Sequence, residues 1–348
     1  MNISGYVSLV SKILYSQFFR LPLPYKLTYS VTNKCNYRCI YCNTWKEKSI
    51  NELTFDEIKK VFDNARHFLW VDLTGGEPFL RTDFVDINEV VIKNCKGLIL
   101  LHYQTNGYLT DLIVSDTQRI LSFKPERLIV TVSLDGYEKL NNRIRGTKDG
   151  WEHQIETFRQ LRKLKGVSVV LGFTLYPDNV DCLPETYRAI QKVCPDFSYK
   201  DLHVNIAHLS EHLYFNKHLE KDLLPADKII YTLEGLKKNQ NFSLHPVAIL
   251  ENVYRKKVPQ YLYSGKSPLP CLALSASCFI NPQGYVYPCS MYNKVVANLR
   301  DYNYNLKAIW DKEEAKKLQT EVHQLKCPQC WTPCEAYQTI LGNLTKLP

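Results

Sequence analysis

Short β-rich segments recur through the first two-thirds of the chain, and the intervals between them carry helical patterns of apolar residues. The segments begin roughly 30–40 residues apart. The predicted strands are residues 27–33, 68–74, 98–105, 127–134, 168–175 and 201–207. Six β/α units in series favour parallel strands with right-handed crossovers, closed or partly closed into a barrel.

The first helix of this series has clear boundaries and a buried face. Thr54 and Glu57 have the spacing of a capping box, and Leu53 and Ile58 can form a hydrophobic staple. The apolar stripe that should face the strands is Ile58, Val61, Phe62 and Ala65.

The β/α rhythm stops after residue 207, which divides the chain into four parts. Residues 1–26 are predicted to be an amphipathic helix with a lead-in, and residues 27–210 a partial (β/α)6 barrel that is similar to a TIM barrel. Residues 211–265 form a polar helical bridge. His208 and His212, four residues apart around its start, suggest a solvated helix face. Residues 266–348 form a small α+β domain with a β-hairpin turning at 282–284 and a helix near 305–324.

The N-terminal helix is strongly amphipathic. Its apolar stripe is Ile3, Val7, Val10, Leu14 and Phe18, with Lys12, Arg20 and Lys26 nearby. Such a helix packs against its own barrel or a partner chain, or it lies on a membrane surface. The sequence leaves both alternatives open for residues 1–20.

Composition narrows the class of protein. The 348 residues are 45% hydrophobic and 23% charged, and no apolar run is long enough to span a membrane. Lys12 and Arg20 interrupt the N-terminal apolar stretch, so it is no secretory signal. The net charge of +9 is not concentrated in a run of five or more basic residues, so nucleic acid is not an expected partner. We expect a cytoplasmic protein, with membrane association as the alternative that the N-terminal helix raises.

Unusual motifs follow four of the predicted strands. Cys35 follows the first strand, residues 75–78 (GGEP) the second and residues 105–107 (TNG) the third, while residues 133–136 (SLDG) close the fourth. Chemistry in β/α barrels takes place at the carboxyl ends of the strands. The pattern therefore predicts one shared site.

The cysteines of the first loop have the spacing CxxxCxxC, at Cys35, Cys39 and Cys42. The chain has twelve cysteines and no export signal, which favours metal or redox chemistry over disulfides. Three thiolates on a [4Fe–4S] cluster leave one iron without a protein ligand. An open iron places a reducing cluster within bonding distance of the group that it reduces.

These motifs, in this order, resemble those of the radical S-adenosylmethionine (SAM) superfamily over roughly residues 27–210. The resemblance implies that the open iron chelates SAM and that an electron from the cluster cleaves SAM to a 5′-deoxyadenosyl radical. That radical then abstracts a hydrogen atom from a substrate. It also implies a reducing partner such as a flavodoxin or a ferredoxin.

The resemblance also implies roles for individual residues. Cys35, Cys39 and Cys42 would bind the cluster, and Tyr41 would lie near the adenine. The other residues that it implies for SAM or substrate are Gly75, Gly76 and Glu77 near the methionyl amine, Asn106 on the same face, Ser133 and Asp135 near the ribose or the substrate, and Arg145 near the SAM carboxylate.

The C-terminal cysteines resemble those of a SPASM or shorter "twitch" extension, which binds an auxiliary [4Fe–4S] cluster. The expected ligands are Cys271, Cys289, Cys327 and Cys330. The segment has six cysteines where a full SPASM domain has seven, so we expect one auxiliary cluster, with Cys334 or Cys278 as a replacement ligand. Cys334 is also a candidate catalytic hydrogen-atom donor, and Asp135 is a second candidate catalytic residue.

Several alternatives stay open from the sequence alone. The cysteines of either end could form a structural zinc site, and the whole chain could be a non-catalytic scaffold. A peptide, a sugar or other small metabolite, and a lipid are all candidate substrates. Only 34 residues precede Cys35, which disfavours a leader-peptide-binding domain at this end.

Overall fold

A computed structural model describes residues 2–222, 226–238 and 246–347. Its strands form one sheet in the order β6-β5-β4-β3-β2-β1-β7-β8-β9. The strands are β1 (Lys26–Ser30), β2 (Trp70–Thr74), β3 (Leu100–Thr105), β4 (Leu128–Ser133), β5 (Val167–Leu175), β6 (Leu202–Ile206), β7 (Ser277–Ile280), β8 (Tyr285–Tyr287) and β9 (Ala297–Asn298). The first six are parallel neighbours in chain order, as the partial barrel requires.

Helices connect these strands and extend the chain at both ends. The α-helices of the described residues are α1 (Ile3–Ser16), α2 (Phe55–Asn64), α3 (Phe84–Asn94), α4 (Thr110–Ser122), α5 (Glu138–Arg145), α6 (Gly150–Leu161), α7 (Leu183–Val193), α8 (Ala226–Lys238), α9 (Pro246–Ser264), α10 (Leu306–Trp310), α11 (Glu313–His323) and α12 (Pro333–Leu341). At least one helix lies between each pair of strands from β1 to β6. The fold is therefore the predicted α/β partial barrel.

The start of α2 has the predicted geometry. The Thr54 side chain accepts from the Glu57 amide, and the Glu57 carboxylate accepts from the Thr54 amide. Ile58, Val61 and Phe62 are buried against the sheet side of the helix. The capping box thus fixes where the first crossover helix begins.

The strands of the barrel bury apolar side chains on one face and polar side chains on the other. Residues such as Leu27, Val71 and Leu101 belong to the hydrophobic core. The alternate positions, including Asp72 and His102, line a cavity inside the barrel. A parallel sheet covered on both faces by packed core would be apolar throughout, so the polar face marks a barrel with a hollow interior.

The C-terminal region continues the sheet of the barrel. β7 pairs in parallel with β1, and the hairpin of β7 and β8 turns at the predicted residues. The buried Lys26 amine at the start of β1 donates to the Cys334 carbonyl on α12 at 2.5 Å and pairs with Asp72 at 3.2 Å. This ion ties α12 to the barrel interior.

Two predicted elements differ from the structure. The helical bridge consists of α8 and α9, whereas residues 208–216 are not helical, and His208 and His212 are not on a solvated helix face. The helix predicted near 305–324 is divided into α10 and α11 by Asp311 and Lys312. Residues 223–225 and 239–245 of the bridge lie outside the described residues.

The apolar stripe of α1 faces solvent instead of the barrel. Ile3, Val7, Leu14 and Phe18 expose 64%, 64%, 60% and 74% of their surface. The opposite side of the helix packs, with Gly5 against the backbone of Gly97. Within the part of the chain that the structure describes, no helix is long and apolar enough to cross a membrane.

Candidate active site

The cysteine loop follows β1 and is fixed to the end of α5. The Arg38 amide donates to the Arg145 carbonyl at 3.1 Å, and the Ile40 amide donates to the Ile144 carbonyl at 2.9 Å. The three loop thiols, of Cys35, Cys39 and Cys42, line the barrel cavity. The loop therefore presents its sulfurs inward while its backbone is bonded to the barrel.

Asp135, Arg145 and Tyr41 form a buried cluster behind this loop. Arg145 Nε lies 2.6 Å from Asp135 Oδ2, and the Tyr41 hydroxyl donates to the same oxygen at 2.5 Å. The other Asp135 oxygen accepts from the Thr174 amide at 2.9 Å. Arg145 Nη1 also approaches Cys39 Sγ at 3.8 Å. Arg145 and Tyr41 line the cavity.

Asp135 itself is completely buried and is not among the residues that line the cavity. Both of its carboxylate oxygens already accept from protein groups. In this arrangement Asp135 orients Arg145 and Tyr41, and its direct contact with ribose or substrate stays a prediction. Asp135, which the sequence predicts as a catalytic residue, thus holds the side chains of Arg145 and Tyr41 in place.

The two glycines after β2 allow two loops to touch. A Cβ on Gly75 would lie 2.4 Å from the Thr32 carbonyl oxygen, and a Cβ on Gly76 would lie 2.2 Å from the Lys34 carbonyl oxygen. Gly75 also has φ +149°, which side chains rarely adopt. Both glycines line the cavity, so their close packing brings the β2 loop beside the cysteine loop.

Glu77 is also completely buried and does not line the cavity. Its carboxylate accepts from the Thr105 hydroxyl at 2.8 Å and the Asn106 amide at 2.6 Å. Burial raises the pKa of Glu77 to about 7. This residue joins the β2 and β3 loops, so the expected contact of its carboxylate with a bound ammonium is not supported.

Asn106 and Ser133 lie where the sequence predicts them, on the wall of the cavity. The Asn106 side chain donates to Asn36 at 2.6 Å and accepts from the Tyr108 amide at 3.0 Å. Asn106 is therefore held in place, and Ser133 at the end of β4 presents its hydroxyl to the same space.

The C-terminal cysteines are divided between two places. Cys271, Cys289, Cys327 and Cys330 line one small cavity together. The Tyr292 amide donates to Cys289 Sγ at 3.3 Å, and the Ala273 amide donates to Cys271 Sγ at 3.4 Å. Their other neighbours in this cavity are mostly apolar, and include Ala273, Met291, Val322 and Leu325.

The remaining two C-terminal cysteines lie elsewhere. Cys334 lines the barrel cavity with the loop thiols. Cys278 is completely buried in β7, beside Leu27 of β1. The expectation that Cys334 or Cys278 replaces one of the four ligands therefore has no support from the geometry.

Both sets of cysteines have the chemistry of iron–sulfur ligands. Burial raises the pKa of Cys39 and Cys271 to about 12, so these thiols need a cationic partner to ionise. Among the described residues, no three His, Cys, Asp or Glu side chains are grouped closely enough for a metal ion. A [4Fe–4S] cluster takes at most one thiolate on each iron, so the three loop thiols and the four thiols of the C-terminal cavity match the ligand sets of such clusters.

Two family models match the chain in the regions that contain these sites. The model of the radical SAM superfamily matches residues 29–190. The model of an iron-sulfur cluster-binding domain, SPASM, matches residues 271–335. The chain therefore contains a radical SAM domain. Its C-terminal region is a SPASM domain.

Curated relatives agree with these domain matches. The chain is 23% identical over 279 residues to AlbA of Bacillus subtilis, an antilisterial bacteriocin subtilosin biosynthesis protein. That alignment covers 78% of this chain and 56% of AlbA, so the chain spans about half the length of that relative. It is also 23% identical to an AdoMet-dependent heme synthase of Methanosarcina barkeri, over 87% of this chain and 86% of the relative.

Solved structures have the same fold. Native anSMEcpe with bound AdoMet superposes with a TM-score of 0.59 at 16% identity, over 93% of this chain and 98% of that one. SuiB of Streptococcus suis bound to the precursor peptide SuiA gives a TM-score of 0.61 at 16% identity, over 89% and 69%. These likenesses establish the architecture of the radical SAM barrel and its SPASM extension.

The two matched domains imply [4Fe–4S] clusters and SAM as cofactors. This argues against the zinc and scaffold alternatives. The individual ligand and SAM-binding residues, and the four domain boundaries, stay predictions.

One part of the wall of this cavity was not predicted from the sequence. Its residues come from the polar positions of the strands, from the segment after β6 and from α12: Asp72, His102, Thr131, His203, Asn205, His208 and Tyr337. The signal was present, because β2, β3 and β6 alternate apolar and polar residues although both faces of a parallel barrel strand are covered.

Proposed function

We propose that this protein reductively cleaves SAM and uses the resulting radical to abstract a hydrogen atom from a peptide substrate. The observation that carries the proposal is one cavity lined by the three loop thiols, the paired glycines and Arg145, together with polar groups of the barrel and of α12. When bound, the cluster supplies an open iron and one electron for cleavage of the SAM sulfonium bond.

The residues near the loop have distinct tasks toward SAM. Arg145 is held by Asp135 and directs its remaining N–H groups toward a carboxylate. The ring of Tyr41 offers a face for adenine, and the Ser133 hydroxyl can hydrogen-bond a ribose. Gly75 and Gly76 leave the backbone bare where the methionyl end would lie.

Cluster ligation follows the division of the cysteines. Cys35, Cys39 and Cys42 would hold the SAM-binding cluster, and Cys271, Cys289, Cys327 and Cys330 the auxiliary cluster. The required electron comes from outside the chain, and a flavodoxin or a ferredoxin is the proposed donor.

A peptide is the substrate class best supported by the relatives. AlbA is named for bacteriocin biosynthesis, and the solved neighbours include SuiB with its precursor peptide and anSMEcpe with a peptide. The heme synthase relative favours a small metabolite as the second candidate. The polar cavity wall argues against a lipid chain in the barrel.

Cys334 is the proposed hydrogen-atom donor of the cavity. Its thiol lies in the same space as the loop cysteines and is separate from the other C-terminal ligands. Donation breaks the S–H bond homolytically, forms a C–H bond and leaves a thiyl radical. Asp135 contributes to catalysis through Arg145 and Tyr41, as a positioning residue.

The test of SAM cleavage is anaerobic reconstitution followed by reduction. The expected products are methionine and 5′-deoxyadenosine, and their absence would contradict the proposal. In D2O without substrate, deuterium should enter 5′-deoxyadenosine from the exchanged Cys334 thiol. Incorporation that is equal in Cys334→Ala would exclude Cys334 as that donor.

The substrate class needs a separate experiment. Small peptides encoded beside the gene would be co-expressed with the protein, and their mass would be compared with co-expression of the Cys35→Ala variant. A mass change only with the intact protein supports a peptide substrate. No change, together with consumption of a porphyrin or another small metabolite, would favour the second candidate.

We also propose that α1 contacts an anionic membrane surface. Its exposed stripe is continuous along the helix, and the first acidic residue of the chain is Glu47. Lys12 and Arg20 flank the stripe. An apolar helix face with basic flanks has the composition of an interfacial helix.

Co-sedimentation with vesicles tests this contact. The protein should bind phosphatidylcholine–phosphatidylglycerol vesicles more than phosphatidylcholine vesicles, and Val7→Glu with Leu14→Glu should abolish binding. Ile50→Glu, at a 60% exposed site in another region, is the matched control. Self-association through α1 without vesicle binding would favour a second copy of the chain instead.

A further inference from the structure

The wall of the cavity formed by β6, the segment after it and α12 contains buried polar atoms that have no hydrogen-bond partner. They are Asn205 Oδ1, His208 Nε2 and the Tyr337 hydroxyl, each without a partner among the described residues. An unpaired buried polar group costs about 1–3 kcal/mol. Three such groups on one wall indicate a ligand that pairs with them.

His208 has a defined hydrogen-bonding state. Its Nδ1 lies 2.7 Å from the Ile206 carbonyl oxygen, which can only accept, so Nδ1 carries the proton. Burial lowers the pKa of His208 to about 4, so the ring is neutral near pH 7. Its Nε2 therefore offers a lone pair to the cavity.

The two other groups complement this acceptor. Asn205 Oδ1 is a second acceptor, on the same face of β6 as His203. His203 lies 2.5 Å from Glu251 through its Nδ1, which fixes that part of the wall. Burial raises the pKa of Tyr337, so its hydroxyl stays neutral and can donate.

We infer that this wall binds a backbone amide of the substrate. The amide N–H donates to His208 Nε2 or Asn205 Oδ1, and the amide carbonyl accepts from the Tyr337 hydroxyl. A lipid chain would leave all three groups unpaired. The inference rests on the proposed function, because it assigns the peptide to the same cavity as SAM.

Fragment binding to the SAM-loaded holoenzyme tests the inference. The probe is N-methylacetamide, and its control is methyl acetate, in which an oxygen replaces the only amide N–H. The amide should shift the ¹⁵N resonance of His208 Nε2, identified by its loss in His208→Phe, and the ester should shift it less.

Variants give a second measurement. Asn205→Leu and Tyr337→Phe should each weaken binding of the amide about tenfold. His153→Phe, at a 40% exposed histidine of α6, should leave binding unchanged. Equal shifts from amide and ester, or a shift with glucose but not with the amide, would overturn the inference.

The same samples separate this inference from the proposed function. Each variant is reduced and assayed for 5′-deoxyadenosine. If a protein cleaves SAM but does not bind the amide, only the inferred amide-binding role of Asn205, His208 and Tyr337 is contradicted. Absence of SAM cleavage in the unaltered protein contradicts the proposed function, whatever the fragments do.

Discussion

The two cysteine sites use the same ligand atom in different surroundings. The loop thiols face a cavity whose other walls include threonine, serine, asparagine and histidine side chains beside aromatic rings such as those of Tyr37 and Trp45. The four SPASM thiols share a small cavity with alanine, methionine, valine and leucine. Thiolates alone therefore do not determine the task of a cluster. The walls decide whether a ligand can reach the iron, and this difference separates a reactive site from a shielded one.

Removing the loop ligands should have the largest effect on activity, because it removes the cluster of the reactive site. In the triple variant Cys35→Ala, Cys39→Ala and Cys42→Ala, formation of 5′-deoxyadenosine should fall below detection because no open iron remains. Iron analysis should give about four irons per chain, against about eight in the unaltered protein. Cys182→Ala, outside both cavities, is the control. If the triple variant still cleaves SAM, the loop site is not the site of cleavage, and the distinction between a reactive and a shielded site is wrong.

Removing ligands of the shielded site should leave SAM binding intact. Cys271→Ala with Cys330→Ala should lose about four irons per chain, while Cys334→Ala should lose none. The reason is that Cys334 lies in the barrel cavity and not with the other four cysteines. Iron content measured beside SAM affinity checks both statements. Loss of four irons in Cys334→Ala would return this residue to the ligand set.

The reactive site also depends on a buried ion pair, which has no counterpart around the shielded site among the residues that the structure describes. Asp135→Asn leaves the Arg145 guanidinium buried without its counter-charge, which should lower the free energy of unfolding by about 3–5 kcal/mol. Anaerobic urea denaturation measures this change. The control is Asp178→Asn, which breaks the exposed Arg143–Asp178 pair and should cost at most about 1 kcal/mol. Similar decreases in the free energy of unfolding in both variants would contradict a larger contribution from the buried pair.

The smallest expected effect is a pH dependence from Glu77. Its pKa is raised to about 7 in the folded protein by burial, so the folded state binds a proton more tightly than the unfolded chain. Stability contributed in this way is present at low pH and is lost as pH rises through about 7. Between pH 6 and pH 8 the free energy of unfolding of the unaltered protein should fall by about 1 kcal/mol more than that of the Glu77→Gln variant.

Glu335, with a pKa of about 7 in the SPASM domain, contributes equally to both proteins and cancels in this difference. Urea denaturation at the two pH values checks the effect. A Glu77→Gln variant with the same pH dependence as the unaltered protein would show that Glu77 is ionised throughout.

The order of the strands and the chemistry of the first loop could be predicted from the sequence, because both are local. CxxxCxxC lies within eight residues, and the motif after each strand is adjacent to it in the chain. For the C-terminal cysteines, the resemblance gave the four expected ligands but left open whether Cys334 or Cys278 replaces one of them. Cys271 and Cys330 share a cavity although 59 residues separate them, and Cys334 is only four residues beyond Cys330.

The roles of Glu77 and Asp135 show the limit most clearly. Their motifs correctly marked the strand ends, yet neither carboxylate lines the cavity: Glu77 bonds the β3 loop, and Asp135 bonds residues that line the cavity themselves. Sequence identifies which residues lie at a strand end, whereas the direction of a side chain depends on the partners available around it.

The sequence by itself determined the β/α series, the cysteine loop and the resemblance to the radical SAM superfamily. Only the tertiary structure decided which thiols share a cavity, that the stripe of α1 faces solvent, and that β6 and α12 supply an unpaired polar wall. The physical reason is distance along the chain. Periodicity fixes what neighbouring residues do, but contacts such as that between Lys26 and Cys334 join residues far apart, and packing alone selects them.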